Sequence, residues 1–525
     1  MSQKFRFAII DDDRLNGIHI AKVLEKQDHV VTLYQESPAA LQAILEGRKS
    51  LGGTWDLFRY PGIRSDSDMH TFGFSFKPWT NAKAISDGPS ILRYLQEAVA
   101  EYDVEKHIRF GVRVTSAAWD SESSTWTVTT LSDRGEVDQV TGRLLYMCSG
   151  YYNYEKGYTP DFAGLDTFKG EVIHPQHWPR DLDYQNKRVA VIGSGATAVT
   201  LVPSMADTAA HVTMIQRSPT YIVSFPARDR LANLLRKLLP DTWAYAITRW
   251  RNIRFQNYVY KRAMKNPQKM RDYLMKGLRK AQISDEDIEK HFSPSYDPWT
   301  QRLCLVPDAD LFNALNSGKA SVVTGQIKAI TEDAVQMADG STVTCDILVT
   351  ATGLNVQVMG GVEFFLDGES IDFSNHFMYQ GMMFSGIPNL VMTFGYINAS
   401  WTLRADLNSR FVCGLLKEMD SRGAAQAVPL LRDSEKDMPA YDWLTNFNPG
   451  YFQRAMHKMP RQGDHAPWHN TQDYLLDRKL LRNGPQDDGV LTYRGSRKAG
   501  SGEPGHDTEA TRTTHAARSS TESAT

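Results

Sequence analysis

A glycine-rich turn at residues 193–198 has the residue types that bind the phosphates of a nucleotide. It follows the short apolar run Val189–Ile192, which is typical of a buried strand, and it precedes a helical pattern. In this GxGxxA order the first glycine permits the tight bend and the second lets the backbone approach a pyrophosphate. The small sixth residue, Ala198, lets the helix pack close to the strand. The turn therefore predicts a dinucleotide site at a helix N-terminus, where the helix dipole favours the phosphates.

Arg217 indicates which dinucleotide this turn binds. It follows the apolar run His211–Ile215, at the strand end where an acidic residue would hold the ribose of NAD. A guanidinium at that place matches a 2′-phosphate, so NADPH is favoured over NADH. The predicted contacts to NADPH are Gly193, Ser194, Gly195, Ala196, Thr197, Arg217 and Ser218.

A second motif lies just upstream of this turn. Phe168, Gly170, His174 and Trp178 fall in the order F-x-G-x-x-x-H-x-x-x-W-P. This fingerprint resembles that of the Baeyer–Villiger monooxygenases, which belong to the class B flavoprotein monooxygenases. The resemblance runs from about residue 44 to residue 493. The segments most similar to mycobacterial members that act on thioamides are SGYYNYEKGY, HPQHWP, GSGATAVTLVP, QRSPTYIVS and NASWTL.

The resemblance implies an NADPH- and FAD-dependent monooxygenase. In this family NADPH reduces FAD, and the reduced flavin captures O₂ as a C4a-peroxyflavin that passes one oxygen atom to the substrate. The implied substrates are small hydrophobic ketones, which undergo the Baeyer–Villiger reaction, and thioethers or thioamides, which are oxidised at sulfur or nitrogen centres.

The resemblance also implies roles for individual residues. By position, Arg302 would stabilise the anionic peroxide, with Asp66 holding its guanidinium. His174 and Trp178 lie on the connection between two domains, where they would couple NADPH binding to domain closure. Ala351-Thr-Gly353 resembles the return to the flavin domain. The residues implied to bind FAD are Glu46 at the adenosine ribose and Gly52, Gly53, Thr54, Trp55 and Asp56 along the flavin.

The elements that must position these residues follow an alternation of apolar runs and helical patterns, which is typical of βαβ units. We expect an α/β fold with two dinucleotide-binding (Rossmann-like) domains and a helical insertion. The predicted segments are an atypical N-terminal βαβ segment (1–42), the first part of the FAD domain (43–165), the NADPH domain (166–345) with the helical insertion (about 228–290), the return of the FAD domain (346–495) and a disordered tail (496–525).

The helical insertion has two interpretations. It is rich in Leu, Arg, Lys and aromatic residues. A basic amphipathic helix of this kind lies on a membrane surface or a partner, or else packs on its own domain with a solvated basic face. We favour packing on its own domain and keep peripheral membrane contact as the alternative.

The N-terminus departs from the family pattern. Phe7–Ile10 is followed by Asp11-Asp12-Asp13, where a glycine turn would cradle the FAD pyrophosphate. A carboxylate about 4 Å from a phosphate costs roughly 4 kcal/mol at an effective dielectric near 20. Residues 1–42 resemble instead the opening of a response-regulator receiver domain, which makes a spliced or recombined N-terminus our hypothesis. Ala43–Glu46 is a helix in the receiver interpretation and the second flavin-domain strand in the other, and the spacing to Gly52 favours the strand.

Composition excludes several functional classes. The 525 residues carry 59 Lys and Arg against 61 Asp and Glu, a net charge of −2, which argues against nucleic acid as the main partner. Four separated cysteines argue against a disulfide scaffold, a zinc ribbon or a flavin disulfide reductase, so no metal site is predicted. With no transmembrane segment or signal peptide, we expect a cytoplasmic protein. The alternative function is a flavin-deficient, vestigial NADP-binding regulatory protein with a receiver-like N-terminus.

Overall fold

Two parallel sheets organise the chain in the computed structural model, which describes residues 7–10, 42–301, 303–445 and 447–496. Each sheet has five strands, and the central strands Leu144–Met147, Arg188–Ile192 and Ile347–Thr350 are apolar runs that are almost entirely buried. Runs of this kind form parallel sheets because helices and loops cover both sides. We refer to them as the first and the second sheet.

The first sheet contains the N-terminal strand at its centre. Phe7–Ile10 pairs in parallel with Gln42–Glu46 on one side and with Leu144–Met147 on the other. The interpretation of residues 43–46 as a strand is therefore confirmed, and the receiver-type helix is wrong at this place. The complete spatial order is Leu390–Met392, Leu144–Met147, Phe7–Ile10, Gln42–Glu46 and Ile108–Phe110. Asp11–Asp13 and the apolar run at 29–34 lie outside the described residues.

The second sheet carries the glycine-rich turn. Its spatial order is Ala320–Thr324, His211–Gln216, Arg188–Ile192, Ile347–Thr350 and Glu171–Ile173, all parallel. Ile347–Thr350 pairs with Arg188–Ile192, so the predicted return to the FAD domain at residue 346 comes too early. The sequence did not show this because a fully buried apolar strand suits either parallel sheet equally well.

A third sheet packs against the first. Trp119 and Trp126, which are fully buried, share a core with Leu145 and Met147 of the first sheet. Its strands in spatial order are Glu369–Ser370, Glu363–Leu366, Val112–Asp120, Thr125–Ser132 and Val137–Gly142. The other strands in the described residues are Ile222–Phe225, Cys304–Pro307, Ile327–Ile330, Ala334–Met337, Thr342–Thr344, Met378–Tyr379, Met383–Phe384, Ala424–Pro429, Tyr441–Asp442, Arg461–Gln462 and Leu491–Ser496.

The predicted helical insertion is confirmed. Within the described part of the chain it consists of the helices Arg230–Leu238, Asp241–Lys265, Pro267–Lys280 and Asp285–His291. The other α-helices there are Thr54–Leu57, Met69–Phe72, Gly88–Glu101, Ala196–Ala206, Asp310–Asn316, Trp401–Ser421, Gly450–Ala455 and Tyr474–Leu481. Ser496 ends the last strand, paired with Ala424, so order extends one residue into the predicted tail, and residues 497–525 lie outside the described chain.

Arg249 fixes the longest helix of the insertion to the body of the molecule. Its buried Nη1 donates hydrogen bonds to the carbonyl oxygens of His70 (2.9 Å), Thr71 (3.0 Å) and Gly73 (2.8 Å). These carbonyls surround the C-terminal end of helix Met69–Phe72, where a positive charge also gains from the helix dipole. The insertion is thereby held against the segment that follows Asp66.

We expect Arg249→Met to lower the free energy of unfolding by about 3 kcal/mol, because buried carbonyl groups lose a charged donor. The measurement is the midpoint of urea unfolding. Arg254→Met is the matched control, since Arg254 lies on the same helix with an exposed side chain. Equal midpoints for the two variants would contradict this anchoring role.

Candidate functional site

The glycine-rich turn has the backbone geometry that its sequence predicts. Gly193 has φ 141°, and its N–H donates to the Ile215 carbonyl at 2.8 Å. A Cβ on Gly193 would lie 2.2 Å from the Ala351 carbonyl oxygen, so only glycine fits there. Gly195 is exposed, and beyond its two chain neighbours no atom of the described residues lies within 4 Å of the place that its Cβ would take. Gly195 therefore leaves open space directly before helix Ala196–Ala206, as the approach of a pyrophosphate requires.

Arg217 and Ser218 follow the carboxyl end of strand His211–Gln216, at the same end of the second sheet as the glycine turn. Ile192 and Ile215 are paired in register, so the chain leaves both strands side by side. Arg217 is exposed, and the described residues give its guanidinium no hydrogen bond or ion pair. The Ser194 hydroxyl lies 2.7 Å from that of Thr220 and fixes the turn to this loop. At the carboxyl ends of these two strands, the Arg217 guanidinium, which has no partner among the described residues, lies beside the open glycine turn. These residues fit a phosphate of NADP.

The flavin-side loop begins at Glu46, at the end of the second strand of the first sheet. Its fully buried side chain accepts the N–H of Arg48 at 2.7 Å through Oε1. Gly52 and Gly53 have φ 123° and 48°, conformations that favour glycine. A Cβ on Gly52 would also lie 2.4 Å from Leu92 Cδ1. The loop passes so close to its neighbours that backbone, rather than side chains, faces the space beside it.

Asp56 holds this loop in place. Its carboxylate accepts hydrogen bonds from Arg48 (2.5 Å), Ser50 (2.5 Å) and Arg59 (2.7 Å). Burial alone would raise the pKa of Asp56, but the hydrogen bonds from Ser50 and Arg48 and the nearby cations lower it. The carboxylate is therefore ionised and engaged with protein groups, which suits an anchor of the loop.

Thr54 and Trp55 extend the loop toward other parts of the molecule. The Thr54 hydroxyl lies 3.1 Å from the hydroxyl of Tyr154, which belongs to the connection between the sheets. Trp55 packs edge-on against Phe72, with ring centroids 5.8 Å apart. The first contact joins the flavin-side loop to the interdomain connection, and the second joins it to helix Met69–Phe72.

Two linkers cross between the domains: the outbound linker of residues 148–170 leads from the first sheet to the second, and the return linker of residues 351–362 leads from the second sheet to the third. They pair with each other, since the N–H of Tyr158 donates to the Gly353 carbonyl at 3.0 Å and Thr352 Oγ1 donates to the Tyr158 carbonyl at 2.6 Å. Further along, the N–H of Gln357 donates to the Tyr151 carbonyl at 2.9 Å. The two linkers are therefore held together by hydrogen bonds to backbone carbonyls along their length.

His174 ties the fingerprint to this pair of linkers. Its Nδ1 accepts the N–H of Gln176 at 3.2 Å, so the proton of the neutral ring is on Nε2, which donates to the Gly353 carbonyl at 3.1 Å. Burial lowers the pKa of His174, which keeps the ring neutral near pH 7. A Cβ on Gly157 would lie 2.0 Å from the ring, so the outbound linker also lies against it. Both nitrogens are engaged with the backbone, as expected of a positioning residue and not of an acid–base catalyst.

The other fingerprint residues are packing residues. Phe168 is buried in a core with Ile192 and Leu348 of the second sheet, and Trp178 packs on the core on the helix side of that sheet. A Cβ on Gly170 would lie 2.2 Å from the Asp346 carbonyl oxygen. The fingerprint thus sets how closely the outbound linker approaches the second sheet.

Direct contacts between the domains were not foreseen from the sequence. Arg64, on the flavin-side loop, forms an ion pair with Asp310 at the start of helix Asp310–Asn316. A Cβ on Gly62 would lie 1.8 Å from the Ser204 hydroxyl on helix Ala196–Ala206. Gln176, inside the fingerprint, is fully buried and donates to the Asn153 carbonyl at 2.7 Å. The position of Gln176 between His174 and Trp178 is the feature of the sequence that could have indicated its role. No local sequence pattern marks Asp310 as the partner of Arg64.

The predicted pair of Arg302 and Asp66 is described in part. Arg302 lies outside the described residues, directly before Leu303 and the strand Cys304–Pro307. Asp66 is exposed and has an electrostatic or hydrogen-bond partner of its own. Their interaction and roles stay a prediction from the resemblance.

The cysteines give no alternative redox centre. Cys148, Cys304, Cys345 and Cys413 are all buried and unpaired as disulfides. Burial raises the pKa of Cys345 and of Cys413 to about 12, so neither thiol ionises near neutral pH. This disfavours a disulfide reductase. Among the helices of the described residues, none has the length and apolar character needed to cross a bilayer.

Comparison with known proteins relates these features to a family. A family model for flavin-binding monooxygenase-like proteins matches residues 85–420. The FAD-containing monooxygenase EthA of Mycolicibacterium smegmatis is 48% identical to this chain over 469 residues, which cover 89% of this chain and 94% of that protein. The probable FAD-binding monooxygenase AlmA of Acinetobacter baylyi is 47% identical over 481 residues, or 91% and 94% of the two chains.

Solved structures agree on the fold. A steroid monooxygenase bound to NADP matches with a TM-score of 0.66 and 23% identity, over 81% of this chain and 88% of that one. A cyclohexanone monooxygenase from Rhodococcus sp. Phi1 bound to NADP⁺ matches with a TM-score of 0.65 and 21% identity, over 82% and 87%. The predicted α/β fold with two dinucleotide-binding domains is confirmed. The receiver resemblance of residues 1–42 is not confirmed by these comparisons.

Stability conferred by His174 should depend on pH in a defined direction. Because its pKa is lowered on folding, the unfolded chain takes up the proton first, and stability present above about pH 6.5 is lost as the pH falls. Protonated Nδ1 would also face the Gln176 N–H, donor against donor. His174→Asn retains an acceptor but loses the Nε2 donor, so we expect it to be about 1 kcal/mol less stable at pH 8.

This deficit of His174→Asn should shrink toward pH 5 because the variant lacks the titrating ring. The measurement is the midpoint of thermal unfolding of both proteins across this range. His177→Asn is the control, since His177 is exposed. A deficit that stays constant with pH would contradict a neutral His174 bridge.

Proposed function

This chain belongs to the flavin-binding monooxygenase-like family, and from that premise we propose that it is an NADPH- and FAD-dependent monooxygenase of the Baeyer–Villiger type. It inserts one oxygen atom of O₂ into a hydrophobic ketone or adds it to a sulfur or nitrogen centre. The observation that carries this proposal is the fingerprint histidine, which joins the two linkers that cross between domains built on sheets of the dinucleotide-binding type. FAD, when bound and reduced, supplies the electrons that activate O₂.

The flavin side of the site would be held by backbone and one carboxylate. Glu46 ends the strand next to Phe7–Ile10, where a carboxylate binds a ribose in this fold. Gly52 and Gly53 let the loop lie close to a planar ring, and the ionised Asp56 keeps that loop fixed through its arginine and serine partners. Thr54 orients the loop against the interdomain connection, and Trp55 orients it against helix Met69–Phe72.

The nicotinamide side would be held by the second sheet. The turn from Gly193 to Thr197 directs backbone N–H groups and a helix N-terminus at the pyrophosphate. Arg217 and Ser218 bind the 2′-phosphate at the neighbouring strand end. The residues present fit this group, because Gly195 faces open space and Arg217 lacks a partner in the described chain.

The remaining residues position the two sides. His174 holds the linkers together through the Gly353 carbonyl, and the ion pair of Arg64 with Asp310 brings the flavin-side loop onto the second domain. Arg302, ahead of strand Cys304–Pro307, stabilises negative charge that develops on the transferred oxygen, with Asp66 orienting its fork. Trp401, which stacks on Tyr151 at 5.1 Å, lies in an aromatic cluster that suits an apolar substrate.

The test begins with the visible absorption spectrum of the purified protein. We expect a flavin spectrum. When NADPH and ¹⁸O₂ are supplied together with a hydrophobic ketone, or with a thioether that has the same shape as that ketone, the product should contain one labelled oxygen atom. Arg302→Ala should still oxidise NADPH but release hydrogen peroxide in place of product. Product formation by that variant would remove Arg302 from the mechanism.

The competing function has a distinct signature. A flavin-deficient NADP-binding regulatory protein would be colourless and would oxidise no NADPH even with added FAD. That outcome would overturn the proposal and assign the defect to the acidic stretch Asp11–Asp13 at the place of the pyrophosphate turn.

Coenzyme preference should depend on Arg217. Replacing it with alanine removes a charge-assisted contact to the 2′-phosphate, so we expect the KM for NADPH to rise at least tenfold while that for NADH changes little. Steady-state kinetics with both coenzymes measure this. Lys187→Ala is the matched control, because Lys187 is an exposed cation at the amino-terminal end of the central strand of the same sheet, opposite the carboxyl end where Arg217 lies. Equal rises for NADPH and NADH would contradict the 2′-phosphate role.

A further inference from the structure

The helical insertion has a charge opposite to that of the rest of the protein. Residues 228–290 contain sixteen Lys and Arg residues against seven Asp and Glu, a net charge of +9 in a chain whose total is −2, and four of the seven acids lie in the last helix, away from the two that are described next. The remainder of the chain is therefore acidic. Charge segregation on this scale creates a local positive field toward any anionic surface.

The first helix of the insertion exposes an apolar stripe. On Arg230–Leu238, Leu231, Leu234 and Leu238 follow the spacing i, i+3, i+7, and their exposed fractions are 46%, 50% and 70%. Side chains with this spacing lie on one face of a helix. That face points to solvent, since its packing contact is made through the buried Ala232.

The next helix, which packs against the first, exposes an apolar stripe of its own. On Asp241–Lys265, Trp243, Ile247 and Trp250 follow the spacing i, i+4, i+7, with exposed fractions of 67%, 42% and 56%. They line a shallow groove of about 550 Å³. The opposite face of this helix holds Tyr245 and Arg249, both buried against the body of the protein. The apolar face is thus not needed for internal packing.

Cations flank the apolar stripes. Arg228, Arg230 and Lys237 line a second groove of about 560 Å³ beside Leu234, in which Asp308 is the acidic member. Arg254 lies one turn beyond Trp250, with its guanidinium 4.8 Å from the indole ring. Asp229, at the start of the first helix, is neutralised by an ion pair with Arg251.

We propose that these two helices form a docking face that binds the surface of an anionic lipid bilayer. The docking face consists of the stripes Leu231, Leu234, Leu238 and Trp243, Ile247, Trp250 together with their flanking cations. Leucines enter the acyl boundary, tryptophans lie at the headgroup level, and long basic side chains reach lipid phosphates. Protruding apolar side chains inside a basic field fit a fluid anionic surface better than a shaped protein partner. The inference does not rest on the proposed catalytic function.

The docking face also has a defined relation to the rest of the molecule. The helix that carries Trp243 and Trp250 is the one whose Arg249 binds the carbonyls of His70, Thr71 and Gly73. Its outer side therefore faces the bilayer while its inner side stays fixed to the segment after Asp66. Apolar molecules dissolved in a bilayer would be concentrated beside that segment.

The experiment is co-sedimentation of the full-length protein with vesicles. Wild-type protein should bind vesicles of equal parts phosphatidylcholine and phosphatidylglycerol, bind phosphatidylcholine alone far more weakly, and be released by salt. Each lost cation should weaken binding about fivefold, so Arg230→Gln/Lys237→Gln/Arg254→Gln should weaken it roughly a hundredfold. Trp243→Ser/Trp250→Ser should also weaken binding, to both vesicle types.

A matched control removes the same charge elsewhere. Lys187→Gln/Lys328→Gln/Lys458→Gln neutralises three exposed lysines outside the insertion and should bind anionic vesicles like the wild type. Equal weakening by both triple variants would overturn the proposal in favour of a general charge effect. Absence of vesicle binding overturns it too. If sedimentation velocity then shows a dimer that Trp243→Ser/Trp250→Ser converts to a monomer, the face is instead an interface between two copies.

Discussion

One backbone oxygen joins the two domains of this protein. The Gly353 carbonyl accepts the N–H of Tyr158 from the outbound linker and the Nε2–H of His174 from the fingerprint. A carbonyl oxygen has two lone pairs, and here one accepts the Tyr158 N–H while the other accepts the His174 Nε2–H. Each donor therefore makes a separate hydrogen bond to the oxygen. The tautomer of His174 follows from its second contact, with the Gln176 N–H. A neutral imidazole, whose pKa burial lowers, is therefore one of the groups that hold the two linkers together.

Close approach of backbone supports this junction. Gly157 lies against the His174 ring, Gly170 against the Asp346 carbonyl and Gly193 against the Ala351 carbonyl, each at a distance that leaves no room for a Cβ. The flavin-side loop then meets the second domain through the ion pair of Arg64 with Asp310. The proposed site is thus assembled from the flavin-side loop, the glycine turn and the two linkers. Close contacts at glycines fix the relative positions of these segments.

The helical insertion combines two surfaces of different character. Its inner surface is held by a buried guanidinium that donates to three carbonyl oxygens and by buried apolar side chains such as Tyr245 and Leu278. This leaves leucine and tryptophan side chains free to face outward. The interpretation that the insertion packs on its own domain holds for Leu278 and Ile288, which lie in the core of the second sheet. Its longest helix packs instead on residues 70–73 of the flavin side, and the outer surface is the basis of the proposed membrane contact.

Local patterns in the sequence were enough to identify the glycine turn, the strand that ends at Glu46 and the residues of the fingerprint. The turn and the strand could be predicted because backbone sterics and strand periodicity act over a few residues. The tertiary structure alone assigned Ile347–Thr350 to the second sheet, engaged Asp56 with the arginines of its own loop and paired Arg64 with a residue 246 positions away. It also decided which carbonyl His174 meets. Such partners depend on how distant segments pack, and a buried strand or a charged side chain carries no local mark of the neighbour that it will find.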